Sequence, residues 1–257
     1  MTEPASGRVL EGKIAIVTGS GQGVGRGIAL ALSGAGCQVV VCGRTPRTLQ
    51  ETAALIEDAE GTALVVKCDV SQRSEVESCV ERTLNTFGAI DILVNNAQTV
   101  RLGPLLDLID DDMALVYDTG PVGAFRFMKA CFPALSQSRG SIVNLASGSG
   151  VQPQPGQAPY AAAKEGMRAL TRVAASEWGV HGIRVNAICP FASSPAMDLW
   201  QQAVPHEYEQ AMHNVYLRRI GDPVHDIGPV VVFLSSSQAQ YVTGATLMVD
   251  GGQNYLG

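Results

Sequence analysis

Tyr160-Ala-Ala-Ala-Lys164 sets a phenol and an ammonium four residues apart, the spacing that brings two side chains onto one face of a helix. A phenol with a pKa of about 10 is a poor acid or base near neutrality, and bringing it to about 7 takes roughly 4 kcal/mol of preferential phenolate stabilisation. An ammonium about 5 Å away supplies on the order of 3 kcal/mol at an effective dielectric near 20. The pair therefore reads as an acid/base couple in which Tyr160 carries the proton and Lys164 tunes it. Ser147 stands thirteen residues earlier, in Ile142-Val-Asn-Leu-Ala-Ser-Gly-Ser-Gly150. A hydroxyl at the end of such an apolar run can hold a carbonyl oxygen while chemistry occurs at its carbon. Taken singly, the Tyr–Lys spacing also fits a surface pair, and the serine a simple cap.

These residues need elements to position them. Apolar, β-branched runs recur at 14–18, 38–42, 63–67, 90–94, 141–145, 183–188 and 246–249. They are apolar on both faces and separated by segments too long for hairpins. That pattern predicts a seven-stranded, doubly wound α/β parallel sheet covered by helices on both sides. Residues 160–179 read as a helix with an apolar stripe at Ala163, Met167, Leu170, Thr171 and Ala174, which puts Tyr160 and Lys164 near a core-facing edge. The first run passes through Thr18-Gly-Ser-Gly-Gln-Gly-Val-Gly25 into a helical stretch, 26–32. Such a turn brings backbone N–H groups against a pyrophosphate at a helix N-terminus; it also fits plain close packing. No repeat or long linker divides the chain, so one domain over 1–257 is expected. It carries an N-terminal tail, 1–10, and an irregular mobile lid, 190–221, with Phe191, Met197, Trp200, Met212 and Tyr216.

Gly19, Gly23 and Gly25 follow a T-G-x-x-x-G-x-G spacing. Together with Ser147, Tyr160, Lys164, Asn95-Asn-Ala97, Asn186-Ala-Ile-Cys-Pro190 and Thr243-Gly-Ala-Thr-Leu-Met-Val-Asp-Gly-Gly252, it resembles the short-chain dehydrogenase/reductase family from Gly12 to Gly252. The resemblance implies a Rossmann-type fold, a nicotinamide cofactor and a homo-tetramer touching through helices near 107–135 and 160–179. It implies a cofactor site at Gly19, Ser20, Gln22, Gly23, Val24 and Gly25, at Asp69 and Val70 beside the adenine, at Asn96 and Ala97, at Tyr160 and Lys164 on the ribose, and at Pro190 and Ser194 by the carboxamide. Asp69 also fits a helix N-cap.

Cofactor preference is read after the second run, where NAD calls for a carboxylate on the ribose 2′-OH. Arg44 and Thr45 stand there instead, and a guanidinium suits a 2′-phosphate, so NADP is favoured and NAD is second. Four positions depart from the family pattern. Gln98 replaces a glycine and puts more side chain beside the cofactor, Phe191 replaces another glycine, and Ser194 substitutes for a threonine. Gly120 stands where the family has a helix asparagine that helps hold a proton-relaying water, and Gly120-Pro121 is expected to kink that helix in its place.

The expected activity is reduction of an apolar or aromatic ketone to an alcohol, or the reverse. An NAD-dependent alcohol dehydrogenase and a non-catalytic nicotinamide-binding regulator are the alternatives. The 24 acidic and 18 basic residues give a net charge of −6, which argues against a nucleic-acid partner. With 46% hydrophobic and 16% charged residues, the chain can bury a large core. Its six cysteines form no C-x-x-C pair and read as buried reduced thiols, and its four histidines show no ligand spacing, so no metal is expected. The N-terminus has no apolar leader and the uncharged stretches are too polar to span a bilayer. No membrane partner and a cytoplasmic location are expected.

Overall fold

A computed structural model describes residues 8–256. Seven strands, β1 (Ile14–Thr18), β2 (Gln38–Gly43), β3 (Thr62–Lys67), β4 (Ile92–Asn95), β5 (Ser141–Leu145), β6 (Arg184–Pro190) and β7 (Thr246–Val249), form one sheet in the order β3-β2-β1-β4-β5-β6-β7. Every neighbouring pair is parallel. The helices are α1 (Gly23–Gly34), α2 (Pro46–Asp58), α3 (Arg73–Phe87), α4 (Asp110–Thr119), α5 (Pro121–Ser138), α6 (Gly148–Val151), α7 (Ala158–Trp178), α8 (Pro195–Ala203), α9 (Pro205–Asn214) and α10 (Gly228–Ser235). Because β1 is flanked by β2 and β4, the connections leaving β1 and β4 diverge and open a crevice at the carboxyl ends of the strands.

Strand alternation builds two cores. Ile16, Val40, Leu93 and Ile142 pack with Val76, Phe127 and Met128 on one face, while Ala15, Val17, Val39, Val94 and Val143 pack with Ile28, Leu32 and Val231 on the other. Apolar runs without alternation follow from this burial on both sides. All six cysteines are free and buried. Among the described residues no helix is long and apolar enough to cross a membrane.

Several boundaries differ from the sequence expectation. β4 begins at Ile92, although the Asp91 backbone already bonds both neighbouring strands, its N–H on Ile14 O at 2.9 Å and its carbonyl taking the Ser141 N–H at 2.8 Å, while its carboxylate takes Lys13 Nζ at 2.7 Å and the Ile14 N–H at 3.0 Å. Of the expected tail, 1–7 lie outside the described residues. Leu10 is only 2% exposed and donates its N–H to Ala35 O at 2.9 Å, so residues 8–10 dock on the domain rather than trail from it. The lid segment is also more regular than expected. It contains α8 and α9, each opening on a proline at its first turn, where a missing N–H costs nothing.

The expected kink is present. Gly120, at φ −97° and ψ −108°, breaks the path between α4 and α5, and Pro121 brings no N–H to the carbonyl of Tyr117 four residues earlier.

Candidate functional site

Thr18, at the end of β1, ties the crevice together. Its hydroxyl donates to Val94 O at 3.3 Å and accepts the N–H groups of Asn96 and Ala97, each at 3.0 Å. Asn96 Nδ2 returns to Thr18 O at 2.8 Å and Gly19 O at 3.1 Å. A β-carbon on Gly25 would strike Asn96 Nδ2 and come within 2.5 Å of Gly19 O, so glycine is what lets α1 start against the end of β4. The Ser20 hydroxyl is spent internally, donating to Val17 O at 2.8 Å and accepting Cys42 N–H at 3.0 Å. Its backbone is engaged as well, the N–H on Cys42 O at 3.2 Å and the carbonyl taking Thr52 Oγ1 at 2.9 Å, so Ser20 shapes the turn.

The residues present fit a dinucleotide. Gln22, before α1, provides no side-chain cap, and no acidic residue stands in the first turn. The N–H groups and positive dipole end formed by Gly23, Val24 and Gly25 therefore suit an anion. Arg44 and Thr45 are exposed at the end of β2. Arg44 has no ion-pair partner among the described residues, whereas nearby Arg47 and Arg26 both engage Glu51. Asp69 Oδ1 accepts the N–H of Ser71 at 2.9 Å and its hydroxyl at 2.7 Å, while its own N–H goes to Glu75. It thus shapes the turn before α3 rather than capping the helix, whose N-cap is Gln72; Val70 is buried in the core against Gly123 of α5.

Ser147, Tyr160 and Lys164 converge from two places, the turn between β5 and α6 and the first turns of α7. Ser147 follows β5 and caps α6, its Oγ accepting Ser149 N–H at 3.2 Å. That bond uses a lone pair and leaves the hydroxyl hydrogen free to donate. Tyr160 sits half-buried in the first turn of α7. Lys164, 4% exposed, donates Nζ to Leu145 O at 2.7 Å and lies 5.5 Å from the centre of the Tyr160 ring.

Electrostatics differ from the expected tuning. Burial pushes the Tyr160 phenol above its ordinary value, with the Ser147 hydroxyl drawing it part of the way back. Burial also lowers the Lys164 ammonium to about 8. The simple pair estimate took account of attraction and omitted the desolvation that both groups suffer. Tyr160 is consequently a protonated acid at neutrality.

The expected lid residues are only partly in contact with this site. Ser194 lies beside the glycine turn, where a β-carbon on Gly23 would be 3.2 Å from Ser194 Cβ. Its hydroxyl caps α8 by accepting Met197 N–H at 3.3 Å. Pro190 ends β6 opposite Val249. The Gln98 amide turns to α4, donating to Val116 O at 2.8 Å and to Thr99 O at 2.9 Å.

Sequence reasoning missed three supports. Asn144, fully buried in β5, receives Asn95 Nδ2 on its Oδ1 at 2.8 Å and donates to Thr171 Oγ1 at 2.9 Å, so one amide joins β4, β5 and α7 behind the site. A lone amide in a strand buried on both faces was the available signal, since such a group needs partners. A β-carbon on Gly150 would press on the Lys164 and Glu165 backbone at 3.0–3.1 Å, and Asn254 closes over Gly148, next to Ser147. Nothing in the local sequence signals these two long-range approaches.

Comparison with known proteins gives a consistent picture. The family model described as enoyl-(acyl carrier protein) reductase matches residues 19–254. A 12alpha-hydroxysteroid dehydrogenase of Clostridium sp. is 39% identical over 252 residues, covering 95% of this chain and 97% of the relative. The 3-oxoacyl-[acyl-carrier-protein] reductase FabG of Staphylococcus aureus is 35% identical, over 93% of this chain and 97% of its own. A solved structure from Sinorhizobium meliloti, described as a candidate short-chain alcohol dehydrogenase, superposes with a TM-score of 0.87 at 35% identity, over 95% and 97% of the two chains. Fold, motif order and similarity over almost the whole length agree, and the chain belongs to the short-chain dehydrogenase/reductase family of oxidoreductases.

Proposed function

We propose that this chain, acting as one domain, is an NADP(H)-dependent oxidoreductase that reduces an apolar or aromatic ketone to a secondary alcohol, or runs the reverse. The observation that carries the reading is the meeting of the Ser147 hydroxyl, the protonated Tyr160 and the buried Lys164 ammonium at the strand ends. Ser147 donates to the carbonyl oxygen and orients it. Tyr160 gives its proton to that oxygen as negative charge develops there. Lys164, anchored on Leu145 O, holds the ribose and returns a proton to Tyr160. When bound, the nicotinamide supplies the hydride.

The Gly19–Gly25 turn would hold the pyrophosphate, Arg44 and Thr45 the 2′-phosphate, Asp69 and Val70 the adenine edge, and Asn96, Ala97, Pro190 and Ser194 the nicotinamide half. The exposed Arg44, with no ion-pair partner among the described residues, supports NADP over NAD. Apolar residues of the lid, among them Leu199 and Tyr216, support an apolar substrate, and the hydroxysteroid dehydrogenase relative makes a ketosteroid a natural member of the test panel. Phe125 on α5 and Val173 on α7, 46% and 54% exposed, support assembly as a homo-tetramer. A cytoplasmic location is part of the same proposal.

The test is consumption of NADPH and, in parallel, NADH, with ketosteroids, aryl ketones and a 3-oxoacyl thioester, using Tyr160→Phe as control. Turnover with NADPH that falls by about 10² or more in Tyr160→Phe is expected. Faster turnover with NADH would overturn the role of Arg44. Binding of either cofactor without turnover of any carbonyl would instead favour a regulatory protein.

A further inference from the structure

Residues 250–256 fold back onto the turn that carries Ser147. The buried Asp250, just after β7, is the hub: its Oδ1 accepts the Gly252 N–H at 3.1 Å, and its Oδ2 accepts the Asn254 N–H at 2.9 Å and Nδ2 at 3.0 Å. Gly251 and Gly252, at φ +65° and +83°, take the left-handed backbone that so tight a turn needs. The end of the lid closes on the same turn. Leu217 donates its N–H to Gly251 O at 3.1 Å, and a β-carbon on Gly252 would press on Tyr216 at 3.1–3.2 Å. Asn254 in turn lies over Gly148, its Cγ 2.9 Å from a β-carbon placed there. One carboxylate thus ties the end of the lid and the end of the chain to the catalytic turn. That arrangement sets two phenols side by side. The Tyr216 and Tyr255 rings lie 6.0 Å apart, tilted by 59°, and are 65% and 55% exposed. Rings so little buried add little to the core, and their faces are free for another flat apolar surface. With Asn254 seated on Gly148, the Tyr255 Cα lies within about 9 Å of the β-position of that glycine, which sets the pair beside the catalytic turn.

Resting on the carbonyl-reductase reading given above, we propose that Tyr216 and Tyr255 are specificity-determining residues, an aromatic platform that stacks the skeleton of a multi-ring ketone whose carbonyl is held by Ser147. A rigid multi-ring skeleton extends from the carbonyl site to the pair. A ketone of a few carbon atoms has nothing to lay on the rings and gains nothing from them. Because the stacking is remote from the carbonyl, it is made alike before and during hydride transfer, so it acts on KM and leaves the chemical step to Ser147, Tyr160 and Lys164. Each ring turns about only two side-chain bonds, and the Asp250 turn holds the backbone of one of them, so little freedom is left to freeze on binding.

The test compares the parent with Tyr216→Ala, Tyr255→Ala, Tyr216→Phe and Tyr255→Phe. It is read by kcat and KM for a ketosteroid and for a short aliphatic ketone with the cofactor the parent prefers, by calorimetric titration of the ketosteroid into protein loaded with the oxidised cofactor, and by the thermal midpoint and light-scattering mass. Each alanine variant is expected to raise the ketosteroid KM and Kd about tenfold, and to lower the ratio of kcat/KM for the ketosteroid over that for the short ketone by about the same factor. The phenylalanine variants keep the rings and should stay within about threefold of the parent on every readout. An equal loss on both ketones, or a ketosteroid KM and Kd unmoved by either alanine, would overturn the proposal. So would a change of mass accompanying the loss, because the rings would then belong to a contact between copies of the chain. A parent that turns over no carbonyl yet binds the ketosteroid through both rings overturns the reductase reading and keeps the platform. A parent that reduces short ketones and neither binds nor reduces the ketosteroid overturns the platform and keeps the reading.

Discussion

Lys164 carries its charge where charge is penalised. Its ammonium is lowered from 10.5 to about 8 by burial. The folded protein therefore gives up this proton more readily than the unfolded chain does, and stability rises with pH between about 8 and 10.5. Below about 8 the penalty is fully present, on the order of 3 kcal/mol for a shift of that size. Lys164→Met is expected to raise the urea midpoint at pH 7 while abolishing turnover, and to lose that advantage by pH 10.5; a destabilised variant at pH 7 would contradict the buried-charge account. The same value sets the activity profile. Ketone reduction should hold steady below about 8 and fall above it as Lys164 loses its proton, while Tyr160, raised by burial, stays protonated. At this scale the identities of Ser147, Tyr160 and Lys164 were legible in the sequence, because order and spacing encode a turn, a strand end and a helix face. The direction of the Tyr160 shift was not, because it depends on how much protein closes over the ring.

Among the elements, the strands were the most legible, since burial on both faces leaves an uninterrupted apolar run. The helices of the lid were missed although Ser194-Pro195 is a cap followed by a proline; their many polar residues hid the signal. None of the described side chains from Ser193 to Asn214 is fully buried. The segment is held to the sheet by a narrow neck in which Ser193 N–H bonds Gly221 O at 2.9 Å and Gly221 N–H bonds Phe191 O at 3.2 Å. Few buried contacts mean a low local opening energy. Limited proteolysis is therefore expected to cut first between residues 195 and 214, and NADPH with a substrate alcohol should slow that cut; first cleavage elsewhere would refute the lid. Behind the site, Asn144→Ala strands Asn95 Nδ2 and takes a donor from Thr171 Oγ1, which keeps its bond to Met167 O at 2.8 Å, and a loss of about 2–3 kcal/mol in urea unfolding is expected.

At the scale of the molecule, the parallel order with β1 between β2 and β4 brings the carboxyl ends of all seven strands to one side of the sheet, where the glycine turn and Ser147 follow β1 and β5. The outward faces of α5 and α7 lie away from that side. Val173→Glu, which puts a carboxylate on the exposed face of α7, is expected to reduce the mass measured by light scattering if the chain assembles there, and an unchanged mass would move the interface elsewhere. Asn254, folded against Gly148 beside Ser147 and tied to Asp250 by its N–H at 2.9 Å and its Nδ2 at 3.0 Å, gives this geometry a temporal meaning. The glycine turn leans on late residues too, since Gly27 of α1 lies against Pro223 and Gly23 against Ser194. During synthesis, then, both halves of the crevice wait for the last quarter of the chain, and the ability to react is completed only when the residues after β7 emerge.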